Sequence, residues 1–420
     1  MIIAATAVSL TIGAVLLVLN LKGGEKSIEQ SIVRLYDAQD RQFDRAMGVL
    51  LGPAIVEGNR VDVLLNGDEI FPSMLTAIRG AQTSITFESY IYWSGSIGQE
   101  FAAALADRAR AGVRVHLLLD WLGSNKLDPA QFELMKHAGV VVRRFHEPVW
   151  YNLHRMNNRT HRKVLVVDGK VGYTGGVGIA DAWMGNAQGP DHWRDTHFRV
   201  EGPVVAQMQA VFMDNWIKVT GEVLHGIEYF PALTRSGEGA AQMFSSSPAG
   251  GGESMRLMYL LAITAAAKSI HLSSAYFVPD ELTTKALAAA ARRGVRISIV
   301  VPGEHMDAET VQRASRASWG ELLEAGIEIY QYQPTMYHCK VMIVDGLWVS
   351  VGSTNFDSRS FALNDEANLN IYDAAFASRQ IEIFQQDVAR SKAISLSDWQ
   401  RRPLRDKVLD YLASTLRMQL

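Results

Sequence analysis

Short apolar runs, each closed by Gly, Asp or Pro, alternate along the chain with longer Ala-rich stretches. Val164 to Val167 leads into Asp168-Gly169 and a second apolar run ending at Gly175-Gly176; Val341 to Val344 leads into Asp345-Gly346 and a run ending at Gly352-Ser353. Two apolar runs joined through Asp-Gly predict a β-hairpin, here written twice. Other runs are paired as well. SITFESYIYW from Ser84 aligns with SIHLSSAYFV from Ser269, AGVRVHLLLD from Ala111 with RGVRISIVVP from Arg293, and HAGVVVRRF from His137 with EAGIEIYQY from Glu324. The Ala-rich stretches between them, Phe101 to Ala111 and Leu282 to Arg293, read as helices. A duplicated strand, helix, strand unit predicts two α/β lobes. The offset between copies is 182 to 187 residues through these runs and 177 at the hairpins, which puts about ten extra residues of the first copy within Glu147 to Thr160.

Both hairpins open on the same polar word, His-x-Lys-x4-Asp: His161, Lys163 and Asp168, then His338, Lys340 and Asp345. One match arises by chance in roughly a few per cent of chains this long; two in matching frameworks do not. Alternate residues of a strand share a face, so each copy offers one imidazole and one ammonium to the same point. A phosphodiester needs both, a nucleophile or proton donor for the displacement and fixed positive charge for the equatorial oxygens. Asp168 and Asp345 complete the words and stand with the candidate catalytic residues, but as openers of Asp-Gly turns they are expected to hold turn backbone.

These words resemble the phospholipase D superfamily, and within it the bacterial cardiolipin synthases with one membrane anchor or none. FESYIYW, MNNRTHRK, GGVGIAD, HWRDTHFRVEGP and GSTNFDSRSF extend the likeness over about residues 60–420. The resemblance implies two tandem lobes, each a mixed β-sheet flanked by helices, meeting with both histidines in one cleft. It implies an acid about thirty residues after each His that bonds the second ring nitrogen, and Asp195 and Glu366 stand there. Such an acid would fix the tautomer and stabilise imidazolium; the residues alone leave each equally readable as a solvated loop charge. Gly176, Ser353 and Asn355 are the implied substrate-binding positions, with one departure, because the counterpart of Asn355 in the first copy is Gly178. Neither a metal nor a cofactor is implied.

Composition narrows the partners. With 420 residues, 48% of them hydrophobic and 20% charged, the chain can bury two cores. A net charge of -3 and a pI near 6.4 lack the basic excess that a nucleic-acid partner demands. A local excess, Arg143, Arg144, His146, His154, Arg155, Arg159 and Arg162, reads as a funnel for anionic headgroups. Cys339 is the only cysteine and reads as a packing residue.

Residues 1–21 carry no charged side chain and would span roughly 30 Å as a helix, which predicts a transmembrane anchor, with a cleaved signal peptide as the alternative. Lys22, Lys26 and Arg34 behind it place the lobes on the cytoplasmic side of the inner membrane. A helical connector anchored by Tyr36, Phe43 and Leu50 is expected over 22–60, the first lobe over 61–230, a Gly/Ser/Pro linker over 231–252, the second lobe over 253–391 and an amphipathic tail over 392–420. That tail is read as packing on its own lobe, with a membrane-surface helix as the other reading. The resemblance implies a phosphatidyltransferase making cardiolipin through a phosphatidyl-histidine, His161 attacking, with phosphatidylglycerol as donor and acceptor. A phospholipase D hydrolase or headgroup-exchange enzyme and a membrane-tethered scaffold that binds anionic lipid are the rivals, with a nuclease third, disfavoured by pI and anchor.

Overall fold

The computed structural model describes residues 28–147, 157–248 and 253–419, with Thr6, Thr11 and residues 13–15. One continuous sheet runs through both repeats. In the first, Ser84–Ser89, Arg114–Asp120 and Val141–Phe145 lie parallel, and the hairpin of Val164–Val167 and Val171–Gly175 adds antiparallel beside Ser84–Ser89. The second repeats the arrangement with Ser269–Ser274, Arg296–Pro302 and Glu328–Tyr332, and the hairpin of Lys340–Val344 and Trp348–Gly352. A closing strand follows each hairpin, Thr196–Glu201 and Asn364–Tyr372. Val56–Leu65 and Gly239–Ser246 then join the halves, meeting antiparallel at Val56 with Ala241 and Asn59 with Gly239.

Helices cover both faces, which is why Val164–Val167 and Lys340–Val344 are buried along their whole length instead of alternating. Asn66–Gly80 and Ser96–Arg110 close one face of the first half over Phe71, Phe87, Phe101 and Leu117; Val205–Thr220 closes the other through Phe212 and Trp216. In the second half Ser254–Ala265 and Glu281–Arg292 cover Phe277, Ile299 and Trp348, and Ala374–Ala389 brings Phe384 to the opposite face. Acidic caps start two of these helices: Asp280 accepts from the Thr283 amide, and Asp373 from those of Ala375 and Phe376.

Three expectations are corrected. The N-terminal transmembrane helix is overturned: among the described residues no helix is long and apolar enough to cross a membrane, and most of residues 1–21 lies outside them. The connector is helical only over Arg41–Leu51, and its buried face is Phe43, Met47 and Leu51, a four-residue spacing, so Leu50 points to solvent at 55% exposure. The Gly/Ser/Pro linker contains Gly239–Ser246, a strand in the middle of the sheet. The inserted stretch within 147–160 falls mostly outside the described residues.

Candidate active site

His161, Arg162 and Lys163 lead directly into Val164–Val167, and Lys340 opens Lys340–Val344 with His338 two residues before it. The backbone of each approach is tied to the other repeat. Arg159 and Thr160 pair in parallel with Asn364 and Asp365, and the His161 amide donates to the Asp365 carbonyl at 2.9 Å. Reciprocally, the Arg194 amide donates to the Met336 carbonyl at 2.9 Å and the His338 amide to the Arg194 carbonyl at 2.7 Å. The acids are therefore exchanged. Glu366 meets His161 Nδ1 at 3.0 Å and 3.1 Å through its two oxygens, and Asp195 meets His338 Nδ1 at 2.7 Å. Each histidine takes its carboxylate from the opposite repeat.

Both acids are buried and held in place. Glu366 accepts from Ser353 Oγ at 2.5 Å and from Asn364 Nδ2 at 3.2 Å; Asp195 accepts from Trp183 Nε1 at 3.0 Å and from the Thr196 amide at 2.8 Å. Burial pushes both carboxyls up, but the adjacent imidazole and ammonium outweigh it and keep them below their ordinary range. An ionised carboxylate only accepts, so Nδ1 of each ring carries the hydrogen and Nε2 is left with its lone pair. Burial lowers His161 to about 4, and burial with Lys340 lowers His338 to about 3. Burial also lowers Lys163 to about 7 and brings Lys340 below its usual range. The site therefore holds two neutral imidazoles at neutral pH, where an unperturbed pair would be partly charged. Each lysine donates to the carbonyl of its own histidine at 2.7 Å, and Lys340 Nζ also stands 3.1 Å and 3.2 Å from the ring nitrogens of His338.

A cavity of about 530 Å³ opens over these groups, lined by His161, Lys163 and His338. Aromatic and apolar side chains form much of its wall. Tyr90 sits edge-on to His161 with centroids 5.0 Å apart, Trp183 and Trp193 flank His338 at 5.3 Å and 5.4 Å, and Trp93, Leu122 and Tyr276 extend the surface. A cationic floor under such a wall suits an amphiphile with an anionic head. Asn355 lines the cavity with an amide oxygen that has no hydrogen-bond partner among the described residues. Ser353 is engaged by Glu366, and a Cβ on Gly176 would meet the Asp195 carboxylate at 2.3 Å, so these two positions support the acids. At Gly178 a Cβ would stand 2.6 Å from Ile91 Cβ, which explains why no Asn fits there.

Asp168 and Asp345 belong elsewhere. Both adopt positive φ, 54° and 55°, and their carboxylates accept from amides of a neighbouring segment: Gln82, Thr83 and Ser84 for Asp168, Ala267, Lys268 and Ser269 for Asp345. The four strand residues Val164–Val167 separate Asp168 from Lys163, about 16 Å over five residue steps, so it cannot touch a substrate held at the histidines. The two acids fix the start of the adjacent strand, and neither bonds its own turn. The basic funnel is corrected as well. Arg162 is fully buried and donates to Asp214 and to the Val211 and Ser246 carbonyls, Arg144 pairs with Glu147, and His154 and Arg155 lie outside the described residues. Among the described members only Arg159 lines the cavity. Cys339 is buried among Val300, Tyr332 and Tyr337, its thiol pushed up to about 12 by burial.

Some contributors carry no sequence signal beyond their neighbours. Trp183 and Trp193 read as core aromatics, and Arg194 as one more charge beside Asp195. Arg194 forms a two-point ion pair with Asp387, 3.0 Å and 2.9 Å, that locks the segment on which His338 leans. Breaking such a buried pair costs about 3–5 kcal/mol.

With this geometry in view, comparison with known proteins is informative. The sequence profile of the family described as "Cardiolipin synthase, PLD-like domain" matches residues 74–216 and 259–388. A cardiolipin synthase of Geobacillus kaustophilus is 37% identical over 358 residues, 84% of this chain and 71% of that protein. One from Alkalihalophilus pseudofirmus is 36% identical over 394 residues, covering 93% and 78%. Among solved structures, phosphatidylserine synthase of Haemophilus influenzae superposes with a TM-score of 0.69 at 14% identity, over 90% of this chain and all of that one. Polyphosphate kinase of Porphyromonas gingivalis reaches 0.55 at 12% identity, over 93% and 57%. Those two share the fold alone. The twice-matched profile and relatives similar over most of their own length do more: this chain is a member of the cardiolipin synthase family of phospholipase D-like proteins.

Proposed function

We propose that this protein is a phosphatidyltransferase that converts two molecules of phosphatidylglycerol into cardiolipin and glycerol. The observation that carries the reading is the pair of imidazoles in one cavity, each with Nδ1 held by a buried carboxylate and Nε2 left for chemistry. In this reading His161 Nε2 attacks phosphorus, the P–N bond forms and the P–O bond to the glycerol headgroup breaks, while His338 gives its proton to the departing oxygen. His338 then takes the proton of a hydroxyl on the second phosphatidylglycerol, whose oxygen attacks phosphorus and releases His161. Two displacements in line retain configuration at phosphorus. Lys163 and Lys340 supply the charge that offsets the equatorial oxygens. The incoming phosphodiester brings negative charge that raises the lowered imidazoles, so the proton His338 must carry is favoured when substrate is present. Because the substrates are lipids, the enzyme works at a lipid surface.

Incubation of the purified chain with acyl-labelled phosphatidylglycerol tests the proposal. Labelled cardiolipin and free glycerol in equal amounts are expected. Phosphatidic acid as the main product would make the protein a hydrolase, and unchanged lipid in the presence of intact, folded protein would favour the scaffold.

A further inference from the structure

The C-terminal tail wears its polarity inside out. The helix Leu404–Ser414 packs on Glu309–Ala317, and beside Ala413 what it buries is an acid: Asp410, 1% exposed, is held by Arg402, by Arg316 at 3.3 Å and by Arg313 at 3.8 Å. Outward go Leu404, Val408, Tyr411, Leu412 and Leu416, from 49% to 77% exposed. Their spacing is that of one helix face. A helix fastened by charge that offers four large apolar side chains to water, with Leu416 exposed in the turn beyond it, is the reverse of an ordinary surface helix, and such a patch marks an interaction surface.

The chain beyond this helix returns to the candidate active site. The Gln419 carbonyl accepts from Arg359 at 3.1 Å, its side chain accepts from Asn157 at 2.8 Å, and Gln419 lines the cavity. The chain that continues from the apolar face thus reaches the wall of the cavity. Arg401, Arg405, Lys407 and Arg417 are exposed on the same segment.

We propose that this face docks the enzyme on an anionic lipid bilayer. The inference rests on the reading that the cavity takes phospholipid, and it adds the surface by which the opening reaches the membrane. The apolar side chains enter the boundary of the acyl layer while the neighbouring cations meet headgroup phosphates. A lipid then passes from bilayer to cavity without exposing its chains to water.

The single native thiol, Cys339, is buried, so one engineered cysteine can be labelled alone. An environment-sensitive fluorophore goes on Leu412→Cys in the full chain, and for comparison on Lys268→Cys, an exposed site beside the Asp345 contact. With vesicles containing one part phosphatidylglycerol to about two parts phosphatidylcholine, emission at position 412 should rise and shift to the blue while that at 268 stays constant. Combining Leu404→Ser, Val408→Ser, Leu412→Ser and Leu416→Ser should weaken vesicle co-sedimentation at least about tenfold with an unchanged melting curve. No change at 412, an equal change at both positions, or undiminished co-sedimentation of the fourfold variant overturns the proposal. So does a dimer in vesicle-free buffer that the fourfold variant abolishes, since the face would then serve a second copy. None of these readouts needs turnover, so an enzyme that makes no cardiolipin yet docks through the tail would refute the functional reading alone.

Discussion

Asp195→Asn removes one charge and almost no volume, and the hydrogen bonds around it define the result. The carboxylate accepts from His338 Nδ1 at 2.7 Å and Trp183 Nε1 at 3.0 Å, both on Oδ2, and from the Thr196 amide at 2.8 Å on Oδ1. A carboxamide has one accepting oxygen and one donating nitrogen. If the oxygen stays toward His338 and Trp183, the nitrogen faces the Thr196 amide, and a buried donor without a partner costs about 1–3 kcal/mol. If the oxygen turns to Thr196, Trp183 loses its acceptor and His338 must present a bare Nδ1, so its hydrogen moves to Nε2. In both cases the imidazolium formed during turnover loses its ion pair. At 2.7 Å and an effective dielectric constant near 20 that attraction is about 6 kcal/mol, a ceiling because the neutral bond partly survives. We expect kcat to fall about a thousandfold, near 4 kcal/mol, with KM little changed. Initial rates measure the loss, and nitrogen NMR of histidine-labelled protein reads the ring affected. A rate within tenfold of wild type, or a perturbed His161 beside an unaltered His338, would refute the exchanged arrangement.

Other expectations follow from the same coordinates. His161→Ala and His338→Ala should each abolish turnover, and acid-quenched wild type should carry substrate label on His161; label confined to His338 reverses the roles. Lys163, lowered to about 7 by burial, is charged below that pH and neutral above it, so kcat/KM should decline as pH rises through about 7. Lys163→Arg, which stays protonated, should carry that alkaline limb upward whatever its absolute rate, and an unmoved limb means that another group titrates. Asp168→Ala frees three amides that the carboxylate now accepts from and should cost about 1–3 kcal/mol in thermal melts with kcat kept below the transition. Those amides outweigh burial and hold the Asp168 carboxyl below its ordinary value, so this contribution is present at neutral pH and lost on acidification through the lowered pKa. Gly178→Ala should destabilise by about 1–3 kcal/mol in thermal melts through the clash with Ile91 Cβ, and Ile91→Ala, which keeps that carbon, should not restore it.

The duplicated hairpins and the helices between them are legible in the sequence because fully buried strands and Ala-rich helices leave strong local patterns. Gly239–Ser246 is not, since Gly-Ala-Ala at its start and a Ser run at its end resemble a linker, and only its two long-range partners make it a strand. The first helix hides its face because Tyr36, Phe43 and Leu50 mimic a seven-residue repeat, while the surface it meets selects Phe43, Met47 and Leu51. At the site, the His-x-Lys words and the two acids stand out by composition. Their exchange does not, because each acid stands near the histidine of its own repeat, 34 residues from His161 to Asp195 and 28 from His338 to Glu366, while the histidine it meets is 143 or 205 residues away. Charge is equally ambiguous in isolation: Arg162 sits in a run of basic residues yet is enclosed by Asp214 and two carbonyls.

The exchange of acids makes the repeats hostage to one another. A lesion at Glu366 disarms a histidine 205 positions earlier, so neither repeat can be shortened, replaced or lost while the other carries on. Yet only the exchanged residues are bound in this way. Gly178 against Ile91 on one side and, on the other, an Asn355 whose amide oxygen has no partner among the described residues show the two walls already differing. A symmetric engine with unlike walls can treat a donor and an acceptor differently although its two histidines are built alike.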